Sequence, residues 1–98
     1  MTQRQNSTVA LRMADRDDAG EVRRLAALDS SQPLEEPVLL ALVDGEAVAA
    51  VSLSDERVVA NPFQPTADAV ALLGLRISQM RRARARRRAA WPLRLRAA

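Results

Sequence analysis

The sequence has no cysteine, histidine, lysine or tyrosine, and it has one phenylalanine and one tryptophan. Without cysteine it can form neither a disulfide nor a thiolate site. Without histidine it lacks the commonest general base and metal ligand. No apolar run approaches the roughly 20 residues of a membrane span, and the polar start MTQRQNST does not resemble a secretion signal. We therefore expect a cytoplasmic protein without metal or cofactor, whose small core favours an oligomer.

Charge is unevenly divided along the chain. Residues 1–68 contain all twelve acids and six of the fifteen arginines, a net charge of −6, whereas residues 69–98 contain nine arginines and no acid, a net charge of +9. Arginine in place of lysine beside abundant alanine suggests a GC-rich genome, so the number of arginines overstates their functional weight. Their segregation at one end is the stronger signal.

Apolar periodicity predicts an α+β domain in the order β-α-β-β-β-α, with an antiparallel sheet and a long C-terminal helix. The first helix begins after the N-cap Asp15 and ends before Pro33. The last helix begins after Thr66, and Pro92 sets its expected end. A disordered N-terminus, one domain, and an arginine-rich helical extension with a tail are expected at residues 1–7, 8–80 and 81–98.

A hairpin is the clearest local signal. Two apolar runs flank Asp44-Gly45, a two-residue turn whose glycine tolerates positive φ. The three strands of the central region are expected at about 37–43, 47–53 and 57–61. Because the first two runs are apolar on both faces, helices are expected on both sides of the sheet.

Three segments resemble the N-terminal half of the GNAT acetyltransferase fold, over about residues 8–80. LRMADRDDAGEVRRL is similar to the opening of that superfamily, in which a strand ending in Leu-Arg precedes Ala-x-x-x-Asp at the first helix. The matching residues are Leu11, Arg12, Ala14 and Asp18. LLALVDGEAVAAVSL is similar to its central hairpin, with the small residues Ala49 and Ala50 in the second strand. RVVANPF resembles the fourth strand of a group of small bacterial GNAT-like proteins.

The same resemblance implies that the transferase machinery is missing. In the superfamily, the fourth strand leads into a Gln/Arg-x-x-Gly-x-Gly/Ala loop, whose N–H groups hold the pyrophosphate of acetyl-CoA at a helix N-terminus. The corresponding segment NPFQPTADA has no glycine, and Pro62 and Pro65 carry no N–H group. The later strands, one of which often carries a general-acid tyrosine, have no counterpart. We therefore expect a half-domain that is not an enzyme.

Other groups that could carry chemistry have simpler structural explanations. Glu35 and Glu36 lie in a loop between two prolines, and Ser52 and Ser54 have no histidine to activate them. Glu56 lies near the place where some transferases hold a general base, but a turn between strands is expected there. DRDD lacks the alternating ligands of a calcium loop and is expected to cap a helix.

The basic end carries the candidate binding residues. Arginine forks suit phosphate, so nucleic acid is one expected partner. An acidic protein surface, including residues 15–68 of a partner subunit, is another. Two further interpretations of this end remain open: a solvated end without a partner, and an end that binds a membrane surface. The candidate contact residues are Arg81, Arg82, Arg84, Arg86, Arg87, Arg88, Arg94, Arg96 and the single stacking residue Trp91.

Three functional hypotheses follow from the sequence. The first is a non-catalytic GNAT-like interaction module, homodimeric through the edge and apolar face left where later strands of the fold would lie. Its expected dimer contacts are Val58, Val59, Leu73, Ile77 and Met80. The second is a small nucleic-acid-binding protein that acts through the Arg81–Arg96 segment. An active acetyltransferase is a third and disfavoured hypothesis, which rests on fold resemblance alone.

Overall fold

The computed structural model of the chain describes residues 8–97, with side chains described for residues 8–89. Within these residues the fold is α+β, as the sequence predicts, with four strands and two α-helices. The elements are β1 (Val9–Met13), α1 (Ala19–Leu28), β2 (Val38–Val43), β3 (Glu46–Ser52), β4 (Val58–Ala60) and α2 (Ala67–Ala97). The strands form one antiparallel sheet in the order β1-β2-β3-β4. Residues 1–7, expected to be disordered, lie outside the described residues.

Two aspartates set the start of α1. Asp15 Oδ1 accepts the N–H of Asp17 at 2.9 Å, and Asp18 Oδ2 accepts the N–H of Asp15 at 2.8 Å. These reciprocal bonds form a capping box around a 3-10 turn over Arg16–Asp18. Asp15, the expected N-cap of α1, therefore caps this turn instead: α1 begins after the turn, at Ala19, with Asp18 at its N-cap position.

The turn between β2 and β3 is the predicted hairpin. Asp44 and Gly45 have φ values of 51° and 86°, as a two-residue turn with both central residues at positive φ requires. Asp44 Oδ1 also accepts the N–H of Thr8 at 2.9 Å. The turn therefore connects two strands and holds the start of a third.

Each face of the sheet is covered by one helix, as the two-sided apolar strands predict. On one face, Val22 and Leu25 of α1 pack in a cluster that includes Val59. On the other face, Leu73 and Ile77 of α2 pack against β2 and β3. Three of the expected dimer contacts, Val59, Leu73 and Ile77, are buried in the chain's own core: Val59 beneath α1, and Leu73 and Ile77 against the sheet.

The outer edge of β4 is short and partly blocked. Asp29 Oδ2 accepts the N–H of Ala60 at 3.1 Å, and the Arg57 guanidinium donates to two carbonyls of the loop after α1, at 2.9 and 2.7 Å. A strand edge recruits partners through unpaired backbone groups, and the Asp29 bond removes one of them. Within the expected dimer edge over 57–61, only the Val58 side chain is exposed, and the use of this edge in a dimer stays a prediction.

Helix α2 is longer than the sheet it packs on. It begins after Thr66, whose carbonyl accepts the N–H of Val70 at 2.9 Å, which confirms the expected cap position. Its 31 residues span about 46 Å. The Cα radius of gyration is 16.3 Å, against about 13 Å for a compact chain of this length. The helix is assigned through Ala97, past Pro92, its expected end.

Candidate functional site

We refer to residues 81–97 of α2 as the arginine arm. The last buried side chain described in α2 is Ile77, and Met80 is half-buried. Beyond it, the described arm side chains contain only arginine and alanine, and all are exposed except the half-buried Ala83. The predicted contact residues in this exposed group are Arg81, Arg82, Arg84, Arg86, Arg87 and Arg88. The side chains of Trp91, Arg94 and Arg96 lie outside the described residues.

One ion pair joins the base of the arm to the domain. Arg81 Nη2 lies 2.6 Å from Glu56 Oε1, and the two side chains are 60% and 46% exposed. Glu56 lies in the β3–β4 turn at a φ of 61°, which confirms the expectation of a turn residue. Sequence reasoning missed its contact with Arg81, because 25 residues separate the two and no local pattern connects them.

The remaining arginines of the described arm make no ion pair within the described residues. They are Arg82, Arg84, Arg86, Arg87 and Arg88. No acid follows Asp68 in the sequence, so the helix supplies no internal neutralisation. Like charges four residues apart destabilise a helix by about 0.2–0.5 kcal/mol per pair. The arm therefore presents concentrated positive charge that an anionic ligand would relieve.

These arginines surround the helix instead of lining one side. At about 100° of rotation per residue, Arg84 and Arg88 share one face of α2. Arg82 and Arg86 share another face, about 160° away around the axis. Arg87 lies between the two faces on the side away from Arg81. Whatever binds the arm on one face alone leaves several guanidinium groups in water.

The residues of the Leu-Arg/Asp motif have a structural role at the other end of the domain. The Arg12 guanidinium binds Asp18 through two hydrogen bonds, of 2.7 and 2.9 Å. This pair, together with the N–H of Asp15, holds the pKa of Asp18 well below its usual value and raises the pKa of Arg12. The motif thus connects the end of β1 to the capping box of α1. Sequence reasoning named both residues and missed their contact.

The segment compared in the sequence with the pyrophosphate loop is held by Asn61. Asn61 is buried; its Oδ1 accepts the N–H of Phe63, and its carbonyl accepts the N–H of Gln64. The two prolines of the segment carry no N–H group. Asp68 adds a negative charge in the first turn of α2. A pyrophosphate there would meet a like charge, and the N–H groups of Phe63 and Gln64 are already bonded to Asn61.

A cleft of about 570 Å³ lies between the start of α1 and the loop before β2. Its lining includes the buried apolar residues Val22, Leu34 and Val38. Its charged lining residues are Asp15, Arg16, Arg23 and Glu36. Two positive and two negative side chains offset one another, so the cleft has no preference for one sign of charge. The arginine arm, whose described charged residues are all positive, favours anionic ligands.

Two features are absent from the described part of the chain. No group of three or more acidic residues there is arranged to hold a metal ion. No helix among the described residues is both long and apolar enough to cross a membrane. In comparisons with known proteins, no family model, curated protein or solved structure matches this chain.

Proposed function

We propose that this chain is a non-catalytic interaction module in which a GNAT-like half-domain carries the arginine arm, and that the arm binds the phosphate backbone of nucleic acid. The observation that carries the proposal is the exposure of five arginines without an acidic partner in the described residues. Guanidinium groups bind phosphate through two parallel hydrogen bonds. Phosphate backbones also supply closely spaced negative charges, which can neutralise the closely spaced arginines of the arm.

The energetic argument concerns the counterions of the nucleic acid. Each phosphate neutralised by an arginine releases condensed counterions, so the logarithm of the affinity falls linearly with the logarithm of the salt concentration. Five contacts would give a slope of about −4.5 on duplex and about −3.5 on a single strand. Among the described arm side chains, arginine is the one type that can hydrogen-bond nucleic acid, and its guanidinium fork suits phosphate. We therefore expect little sequence preference.

The non-catalytic part of the proposal is supported by the segment before α2. Two of its backbone donors, the N–H groups of Phe63 and Gln64, are bonded to Asn61, and its two prolines carry no N–H group. Calorimetric titration with acetyl-CoA is therefore expected to give no heat of binding. Saturable binding tighter than about 100 μM, near −5.5 kcal/mol, would need an organised site and would contradict this part of the proposal.

Fluorescence anisotropy tests the arm directly. The full chain and a chain cut after Met80 are titrated into labelled duplex and single-stranded oligonucleotides at several salt concentrations. We expect the full chain to bind with a steep salt dependence and the cut chain to bind at least tenfold more weakly, since its exposed arginine run is gone. Failure of the full chain to bind any nucleic acid at low salt would refute the proposal.

A homodimer is a second candidate, favoured by a different surface from the one the sequence predicts. Leu72 and Leu75 are 38% and 52% exposed, and helix periodicity puts both on the flank of α2 away from Arg81. Sedimentation of the full chain and of the variant Leu72→Gln/Leu75→Gln tests it. A dimer that the double substitution dissociates supports this candidate, and a wild-type chain that stays monomeric at high concentration contradicts it.

A further inference from the structure

We propose that the arginine arm binds double-stranded DNA by entering the major groove. This inference rests on the proposed nucleic-acid function and names the form of nucleic acid. It starts from the arrangement of charge around α2. The pair Arg84 and Arg88 and the pair Arg82 and Arg86 lie on faces of the helix about 160° apart, and all four side chains are exposed.

A one-sided ligand does not match this arrangement. An acidic protein surface or an anionic membrane would contact one pair and leave the other in solvent. A groove differs, because the phosphates of two strands line its two walls. A helix inside it can direct one pair of arginines to each wall, and the charge of both faces is then neutralised.

The dimensions also agree. An α-helix with its side chains is about 10–12 Å across, and the major groove of B-form DNA is about 12 Å wide. The described arm side chains other than arginine are alanines, among them Ala83 and Ala85.

Two other forms of nucleic acid are expected to bind less well. The major groove of A-form RNA is deep and narrow, so a helix of this diameter cannot enter it. A single strand offers one line of phosphates, whereas the groove offers two walls. We expect duplex DNA to bind about tenfold more tightly than duplex RNA of the same length and sequence.

The experiment compares two matched double variants of the full chain, Arg84→Gln/Arg88→Gln and Arg82→Gln/Arg86→Gln. Each removes two charges from one face and keeps a strong helix former. Anisotropy with the same DNA duplex is measured over a range of salt concentrations. We expect both variants to weaken binding equally and to lower the salt slope by about 2. Circular dichroism checks that both remain folded.

The possible outcomes separate the groove from the proposed function. Loss of binding in only one variant would identify a one-sided ligand and overturn the groove proposal. Equal affinity for duplex DNA and duplex RNA would also overturn it, while leaving nucleic-acid binding intact. Tighter binding to poly-glutamate than to DNA would point to an acidic protein and overturn both. An absence of binding to every nucleic acid would overturn the proposed function itself.

Discussion

A chain cut after Met80 loses the arginine arm and keeps every residue of α2 that the structure shows buried. The identifiable loss is the Arg81–Glu56 ion pair, whose side chains are 60% and 46% exposed. Exposed pairs of this kind contribute about 0.2–1 kcal/mol. The cut also removes like-charge pairs four residues apart, each of which costs about 0.2–0.5 kcal/mol. These effects oppose one another.

The net change in the free energy of unfolding is therefore expected to be below about 1 kcal/mol. For a domain of this size, 1 kcal/mol shifts Tm by about 4–8 °C. The substitution Leu73→Ala gives the contrasting scale. Leu73 has no exposed surface, and truncating such a leucine costs about 2–5 kcal/mol.

Urea unfolding followed by circular dichroism is the suitable assay, because the cut removes the single tryptophan, Trp91, and with it the fluorescence probe. The midpoint carries the result, since the helical amplitude falls with the arm itself. Arg81→Gln in the full chain is the matched control for the ion pair. A loss of more than about 2 kcal/mol, beyond what an exposed pair supplies, would refute the reasoning and make the arm part of the core.

Three further predictions concern the domain. Gly45→Ala, at a φ of 86°, is expected to destabilise the fold by about 1–2 kcal/mol. Gly74→Ala, where an added Cβ meets nothing within 4 Å, should stabilise α2 by up to about 1 kcal/mol. Equal effects of the two substitutions in thermal melts would contradict the assignment of the turn. Asp18→Asn should destabilise the domain most above about pH 5. The lowered pKa of this carboxyl means that it stabilises the folded state above the usual aspartate pKa, and this stability is lost as the pH falls below about 4. A difference from wild type that persists undiminished in acid would argue against the ion pair. Asp29→Ala frees the N–H of Ala60 and is expected to cause concentration-dependent association in sedimentation; an unchanged monomer would show that the carboxylate does not protect the edge.

The sequence by itself determined the features that depend on neighbours in the chain. The Asp44-Gly45 turn, the cap at Asp15 and the order of elements follow from backbone preferences that act over a few residues. Two-sided apolar strands also predict a helix on each face of the sheet. The charge segregation is a property of composition, and the rotation of arginines around α2 follows from helical periodicity alone.

Tertiary structure decided which surfaces are covered and by what. Periodicity indicates that Val59, Leu73 and Ile77 face apolar surroundings, but it does not distinguish the chain's own core from a partner's surface. The contact of Asp29 with Ala60 joins residues 31 positions apart, and no local pattern encodes it. Exposure of the arm likewise depends on where the sheet ends beneath α2. Burial is a property of the assembled chain, because it depends on atoms brought together from distant positions in the sequence.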